Sequence, residues 1–160
     1  MKALLAQAKH VAVLLVARNQ TVAVAESASG GLVSAALLAV PGASAFYLGG
    51  SVVYTPRARH RLLGLRREDV RGFKSATEPY VLLAAETVRH QFSATWGIAE
   101  SGAAGPTGNP YGDAAGHSCC AVAGPIALAQ TLETGTPERF DNMVAFALAA
   151  LVLLRVAIEG

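Results

Sequence analysis

Apolar residues recur at helical spacing from Ala3 to Arg18, and this pattern predicts a first helix. The next segment, TVAVAE at 21–26, has the length and the β-branched start of a short buried strand. A second helix is predicted over 30–40, where GGLVSAALLAV precedes a Pro-Gly pair. The segment AFYLGGSVVYT at 45–55 predicts a second strand, and its glycine pair indicates a bulge or a close backbone approach.

The second half of the chain continues this alternation. Pro56 suits the first turn of a helix that reaches about Leu63, and Gly64 suits its end. A long helix is predicted from Thr77, with Ser75 as an alternative cap, to about Gln91. A third strand follows at 94–100.

The last third of the chain predicts two adjacent strands and a helix. The strands cover 117–124 and 126–133, and they meet at a Gly-Pro turn. Thr136 is the expected N-cap of the last helix, with Pro137 at its first position. Strands and helices that alternate and then end in adjacent strands predict one layered α/β domain with a mixed sheet over residues 1–160.

Composition supports one hydrophobic core, because 52% of the 160 residues are hydrophobic and only 15% are charged. The uncharged run from Asn142 to Leu154 is shorter than the roughly 20 residues of a membrane span, so we expect a buried helix there. Lys9 and His10 interrupt the apolar N-terminal segment, and no convincing cleavage site follows. We therefore expect a cytoplasmic protein with no membrane partner.

Charge and cysteine usage narrow the possible ligands. The net charge is +2, but six arginines fall between residues 57 and 71. This segment is compatible with nucleic acid or with a small anion, although no groove-reading motif accompanies it. Cys119 and Cys120 are adjacent in a predicted strand, so their side chains should point to opposite faces and form no disulfide. The histidines show no metal-binding spacing, so we expect no metal.

Two predicted strands end alike, in VAES at 24–27 and IAES at 98–101, and each is followed by small residues. Backbone amides and hydroxyls in such turns can bind phosphate, but the same residues also form ordinary turns and caps. Glu26 and Glu100 either brace a neighbouring cation or amide, or Glu100 titrates within a site. The glycine-rich loop 101–116 is long enough to be a functional candidate.

A further candidate site lies in PGASAFYLGGSVVYTPRAR, which contains Ser44, Tyr54 and Arg59. A serine hydroxyl becomes a nucleophile when a base lies within hydrogen-bond reach, and tyrosine can serve as that base. The alternative is that Ser44 caps a turn while Tyr54 and Arg59 are surface residues.

Four segments taken together resemble the CinA C-terminal domain family, amidohydrolases of the nicotinamide mononucleotide deamidase type. AESASGG resembles the family's Ala-Glu-Ser-Cys-Thr-Gly-Gly, and VPGASAFYLGGSVVYTPRARHRLLGL is similar to its Pro-Gly-Ser-Ser segment. SGAAGPTG resembles the Gly-Ile-Ala-Gly-Pro loop, and GTPERFDNMVAFALAALVLL resembles the last helix. The order and spacing of these segments cover nearly the whole chain.

The resemblance implies a three-layer α/β/α sandwich that hydrolyses the carboxamide of nicotinamide mononucleotide without a metal or organic cofactor. By position, Ser44 matches the proposed nucleophile, and Tyr54 and Arg59 complete the catalytic set. The implied substrate-binding residues are Ser27, Ser29, Gly30, Gly31, Ser101, Gly102, Ala103, Ala104 and Gly105. We also expect a homodimer or another homo-oligomer that binds a small pyridine mononucleotide rather than nucleic acid.

The chain departs from the family pattern at several of these positions. Arg59 stands where the family has a lysine, and a guanidinium cannot act as a general base at neutral pH. Ala28 replaces a cysteine, Glu100 replaces a hydrophobic residue, and an expected arginine is replaced near Asn142. Tyr54, His60, Lys74 and Glu100 remain candidates for the base. The alternative function is a nucleotide-binding or regulatory module that has lost catalysis.

Overall fold

The computed structural model describes residues 1–160 and contains a five-stranded sheet between two helical layers. The strands, in chain order, are β1 (Val22–Glu26), β2 (Tyr47–Val52), β3 (Trp96–Gly102), β4 (His117–Ala123) and β5 (Ala127–Glu133). The helices are α1 (Lys2–Ala17), α2 (Leu32–Leu38), α3 (Pro56–Ala58), α4 (Glu78–Phe92) and α5 (Arg139–Glu159). The predicted fold class, a three-layer α/β/α sandwich with a mixed sheet, is confirmed.

The sheet is mixed because the last two strands form a hairpin. The strand order is β2-β1-β3-β4-β5, with β1 parallel to β2 and β3. β3 pairs antiparallel with β4, and β4 pairs antiparallel with β5. The carboxyl ends of β1, β2 and β3 therefore meet the amino end of β4 at one edge of the sheet. Ligands of open α/β sheets bind at such an edge.

The core divides between the two faces of the sheet. One face packs against α1, α2 and α5, and the other packs against α4 and the segment 63–70. Cys120 belongs to the first core and Cys119 to the second, so the prediction that these cysteines face opposite sides is confirmed. Both thiols are free.

α5 is the apolar helix predicted near the end of the chain. By length and composition alone it could span a membrane, but half of its most apolar window is buried inside the protein. It is a core helix, as expected. It begins later than predicted, with Glu138 rather than Thr136 at the N-cap, because the carbonyl of Thr136 accepts a hydrogen bond from the Asn142 side chain.

The helix predicted from Pro56 to Leu63 changes its geometry partway. α3 covers Pro56–Ala58, a wider π-type turn continues over Arg59–Leu63, and Gly64 ends it with a φ of 71°. Thr55 caps the start, since its hydroxyl oxygen accepts from the amide of Ala58 at 3.1 Å. This short helix places Arg59 beside the carboxyl edge of the sheet.

A small apolar cluster lies directly beneath that edge. Phe146 of α5 is fully buried there against Ala28 and Ala104, which belong to the two loops that follow β1 and β3. A single aromatic ring thus supports both loops from below.

We expect Phe146→Ala to lower the free energy of unfolding by about 3–5 kcal/mol, because the deleted ring leaves a cavity in a fully packed site. Urea denaturation monitored by circular dichroism measures this change. Phe140→Ala is the matched control on the same helix, since Phe140 is 57% exposed. Its effect should stay within about 0.5 kcal/mol. Equal effects of the two variants would contradict the role given to Phe146.

Candidate functional site

Two adjoining cavities open at the carboxyl edge of the sheet, and together we call them the cleft. The serine pocket has a volume of about 200 Å³ and is lined by residues that include Ser27, Arg59 and Ser101. The loop pocket, also about 200 Å³, is lined by Ala28, the loop after β3 and Arg139. The two pockets share Tyr54, Gly102, Asn109 and Pro110. The cleft is therefore continuous, and its walls are both polar and apolar.

Ser27 is the serine best presented to the serine pocket. It follows β1 directly and is partly exposed, whereas Ser101, near the end of β3, is only 5% exposed. The third serine of this pocket, Ser75, has its hydroxyl 3.4 Å from that of Tyr111. The amide of Ser27 donates to Glu100 at 3.2 Å, while its hydroxyl donates to no group of the protein. The Ser27 hydroxyl is thus positioned by its backbone and remains available to a ligand.

The floor of the cleft is built on the fully buried carboxylate of Glu26. Its Oε2 accepts from the hydroxyl of Ser29 at 2.9 Å and from the amides of Gly31 and Val33 at 3.0 and 2.9 Å. Its Oε1 accepts from the amide and the hydroxyl of Ser34 at 2.8 and 2.6 Å. These donors include the first amides of α2, so Glu26 holds the helix N-terminus onto the end of β1.

Glu100 supplies a second buried carboxylate next to the first. It is 2% exposed, and its Oε2 accepts from the amides of Ser27 and Ser29 at 3.2 and 2.8 Å. Its Oε1 accepts from the hydroxyl of Ser118 at 3.2 Å. Burial raises the pKa of Glu100, the hydrogen bonds from Ser29 and Ser27 oppose that rise, and the charge of Glu26 adds to it.

Several backbone amides of the turn 27–31 therefore already donate to the protein's own carboxylates and are not free to bind a ligand anion. The amides of Ser27, Ser29 and Gly31 all donate to Glu26 or Glu100. The amide of Gly30 donates to the carbonyl of Ser27 at 3.1 Å. Among the predicted ligand-binding residues of this turn, only Ser27 lines the cleft. The hypothesis that Glu26 and Glu100 brace neighbouring backbone amides accounts for the contacts of Ser27, Ser29 and Gly31.

The loop after β3 keeps free donors in the loop pocket. No hydrogen bond within the protein uses the amides of Ala104 and Gly105, although both residues line this pocket. Gly105 has a φ of +103°, and a Cβ there would lie 2.6 Å from the carbonyl oxygen of Pro137. Only glycine fits this close approach. The loop is thereby held against the segment that precedes α5.

Arg139 is the cation of the loop pocket, and the sequence interpretation did not include it. Its guanidinium donates to the carbonyl of Gly105 at 2.6 Å and to the hydroxyl of Tyr54 at 3.3 Å. The resemblance pointed instead to the position near Asn142. Asn142 is fully buried and donates to the carbonyls of Ala104 and Thr136 at 2.9 and 2.8 Å, so it has a structural role. The sequence does carry one signal for Arg139, because it is a basic residue in the first turn of the last helix.

The structure does not bring Ser44 together with Tyr54 and Arg59. Ser44 lies in a short 3-10 turn, Ala43–Ala45, just before β2, whereas Tyr54 follows β2. The five steps of β2 separate the two ends by about 17 Å at about 3.3 Å per residue. Because Val22 is in register with Tyr47, Ser44 lies at the amino edge of the parallel strands, opposite the cleft.

The candidate bases differ in where they lie relative to the cleft. His60 and Lys74 do not line the cleft, and Glu100 lies beneath it, whereas Tyr54 lines both pockets. His117 lies outside both pockets, between Glu133 and the carbonyl of Ala76. Burial opposes protonation of His117, but its hydrogen bonds to Glu133 and Ala76 outweigh burial and raise its pKa.

Fold and site together define a three-layer α/β domain with an arginine-flanked cleft at the carboxyl edge of a mixed sheet. The model of the CinA C-terminal domain matches residues 5–158. The chain belongs to the CinA C-terminal domain family.

Known proteins similar to this chain agree with that assignment. A CinA-like protein from Synechococcus sp. is 43% identical over 111 residues, which are 69% of this chain and 26% of that protein. A CinA superfamily protein from Klebsiella pneumoniae has a TM-score of 0.91 at 27% identity and covers 98% of both chains. A competence or damage-inducible protein from Enterobacter asburiae has a TM-score of 0.89 at 31% identity, covering 97% of this chain and 98% of that one.

The curated relatives are much longer than the segment they share with this chain. A CinA-like protein from Desulfosudis oleivorans is 37% identical over 153 residues, which are 94% of this chain but only 37% of that protein. The chain spans between about a quarter and about a third of the length of these relatives.

Glu26→Gln and Glu100→Gln should differ in how much each lowers the free energy of unfolding. In Glu26→Gln, the new amide group would face a backbone amide donor in either orientation, and we expect a loss of about 2–4 kcal/mol. In Glu100→Gln, the side-chain oxygen can still accept from Ser27 and Ser29, and the new amide can donate to the Ser118 hydroxyl. We expect this variant to remain close to wild type at acidic pH. Urea denaturation measures both.

The pH dependence of the same pair gives a second, independent measurement. The pKa of Glu100 in the folded protein is raised above its ordinary value of 4.5. At pH values between 4.5 and that folded pKa, the folded state therefore binds more protons than the unfolded state. The stability of the wild type should therefore fall as the pH rises from that value through the folded pKa. Glu100→Gln lacks this fall, while the contribution of His117 cancels in the difference. Parallel curves for the two proteins would contradict the assignment.

Proposed function

We propose that the domain hydrolyses the carboxamide of nicotinamide mononucleotide, or of a related phosphorylated amide, to the acid and ammonia. The observation that carries the proposal is one continuous cleft that combines a free serine hydroxyl, a tyrosine and two arginines. Membership of a family that the sequence resemblance links to this reaction supports it. The substrate amide would lie in the serine pocket, and its phosphate would lie in the loop pocket.

We assign the nucleophile to Ser27 rather than Ser44, because Ser27 lines the cleft. The Ser27 oxygen attacks the carboxamide carbon, the carbon–nitrogen bond breaks, and ammonia leaves. A water molecule then attacks the resulting ester, releasing the carboxylic acid and restoring the serine. Tyr54 lies in the same pocket and would pass the serine proton to the leaving nitrogen. Its hydroxyl is oriented by the hydrogen bond from Arg139.

The arginines would stabilise negative charge on either side of the reacting group. Arg59 lines the serine pocket and would stabilise the oxyanion that forms on the carbonyl oxygen. Arg139 and the free amides of Ala104 and Gly105 would bind the phosphate in the loop pocket. The substrate would thus be held at both ends.

The second candidate function is nucleotide binding without turnover. The substitution that favours it is Arg59, since the serine pocket then contains no lysine, histidine or exposed carboxylate to accept the serine proton. A ligand that binds only the folded protein raises its melting temperature. Stabilisation by nicotinamide mononucleotide together with no ammonia release would select this function over hydrolysis.

We expect Ser27→Ala to lower kcat for ammonia release from nicotinamide mononucleotide by at least about a thousandfold, since the nucleophile is lost. Ser44→Ala is the matched control, because it removes the same hydroxyl at the opposite edge of the sheet. It should keep kcat within about threefold of wild type, as expected for an exposed residue away from the cleft. An inactive Ser44→Ala protein that remains folded would overturn the assignment to Ser27.

We expect Arg139→Ala to raise KM for the mononucleotide by about 10- to 100-fold, because a charge-assisted contact to phosphate is lost. A steady-state ammonia assay measures the change. The dephosphorylated nucleoside serves as the control substrate, and its KM should change little between the two proteins. If both substrates were affected equally, Arg139 would act on the amide end or on Tyr54 instead.

A further inference from the structure

A larger cavity of about 970 Å³ lies beside the cleft, and we call it the basic cavity. It shares Pro56, Arg59, Ser75 and Tyr111 with the serine pocket. Arg59 and Tyr111 thus separate the two spaces, and a ligand in one lies next to a ligand in the other. The proposed reaction leaves the basic cavity unused.

The basic cavity carries positive charge that no acidic side chain balances. Arg59, Arg67 and Arg71 line it together with His60, and no aspartate or glutamate does so. None of the three arginines forms an ion pair within the protein. The two carboxylates of the same segment, Glu68 and Asp69, instead pair with Arg66 at 3.1 and 3.4 Å. A concave surface of one charge sign concentrates the field that attracts an anion.

One N–H of the Arg59 guanidinium also lacks a hydrogen-bond acceptor at the wall between the two spaces, although the guanidinium interacts with the hydroxyl of Tyr80. Its Nε is buried and has no partner within the protein. A buried guanidinium N–H without an acceptor costs free energy, so such groups normally have a partner. An anionic ligand at this wall would supply one.

The remaining walls of the cavity suit an aromatic ring. Phe73 and Tyr111 are 43% and 44% exposed, and Leu65 and Val70 form an apolar base beside them. Exposed aromatic rings next to unpaired guanidiniums can stack on a nucleobase while the cations bind its phosphates.

We propose that the basic cavity binds the pyrophosphate group of a nucleotide, with the base against Phe73 or Tyr111. Three unpaired guanidiniums offer more charge than one phosphate monoester requires, and the loop pocket already has its own arginine. Such a pyrophosphate has two sources. It is either a free nucleoside diphosphate, or the middle of a dinucleotide whose amide lies in the serine pocket. Only the second source rests on the proposed function.

Calorimetric titration of the full chain with ADP, inorganic pyrophosphate and nicotinamide adenine dinucleotide tests the site. We expect binding by ADP that weakens with added salt, and a loss of about 10- to 100-fold for each of Arg67→Ala and Arg71→Ala. Arg61→Ala is the matched control, since Arg61 belongs to the same segment but lines no cavity. It should change the affinity less than about twofold.

The two sources are separated by Ser27→Phe, because Ser27 lines the serine pocket but not the basic cavity. If the dinucleotide spans both spaces, it binds more tightly than ADP, and the bulky side chain in Ser27→Phe weakens binding of the dinucleotide alone. If the site takes free nucleotides, ADP and the dinucleotide bind alike and Ser27→Phe affects neither. Both results support the basic cavity.

Three results would overturn the proposal. They are no binding of any of the three ligands, an equal loss in Arg61→Ala, or tight binding of a single-stranded DNA oligonucleotide that depends equally on all arginines of the segment. The binding measurements need no turnover. A protein that binds ADP but releases no ammonia would therefore contradict the proposed function and leave the basic cavity supported.

Discussion

The carboxylate of Glu26 makes the contacts on which the carboxyl edge of the sheet depends. It joins the end of β1 to the start of α2 through hydrogen bonds to backbone amides and two serine hydroxyls. Without this acceptor, several buried amides would have no partner, and a tight turn of small residues has few other ways to satisfy them. Glu100 extends the same arrangement to β3, so the two central strands share one hydrogen-bonded floor.

This floor determines where an external anion can bind. A helix N-terminus after a strand is a common phosphate site, but here the position is occupied by the protein's own negative charge. Two adjacent carboxylates would also repel a phosphate placed directly above them. The cations nearest this floor flank it, with Arg139 on one side and the arginine segment on the other. The cleft therefore has buried carboxylates beneath its centre and basic side chains at its flanks.

The order of strands and helices was predictable because each element carries its own hydrophobic period and its own turn residues. Local signals were less reliable where tertiary contacts compete with them. The start of α5 shifted because the Asn142 side chain takes the Thr136 carbonyl. In the site, Tyr54, Arg59 and the loop 102–105 line the cleft. Ser44 lies at the opposite edge of the sheet, since its ten-residue spacing from Tyr54 includes a whole strand. Spacing along the chain cannot distinguish the two edges of a sheet.

The segments that carry the arginines of the cleft and the basic cavity lie outside the sheet. Arg59, Arg67 and Arg71 belong to one excursion between β2 and α4, and Arg139 belongs to the first turn of α5. Their side chains contribute little to either core. Substitutions in them can therefore change the shape and charge of the cleft and the basic cavity while the folding of the domain is preserved. In evolutionary terms, this architecture separates the residues that maintain the fold from those that line the cavities, so the lining can vary while the domain stays folded.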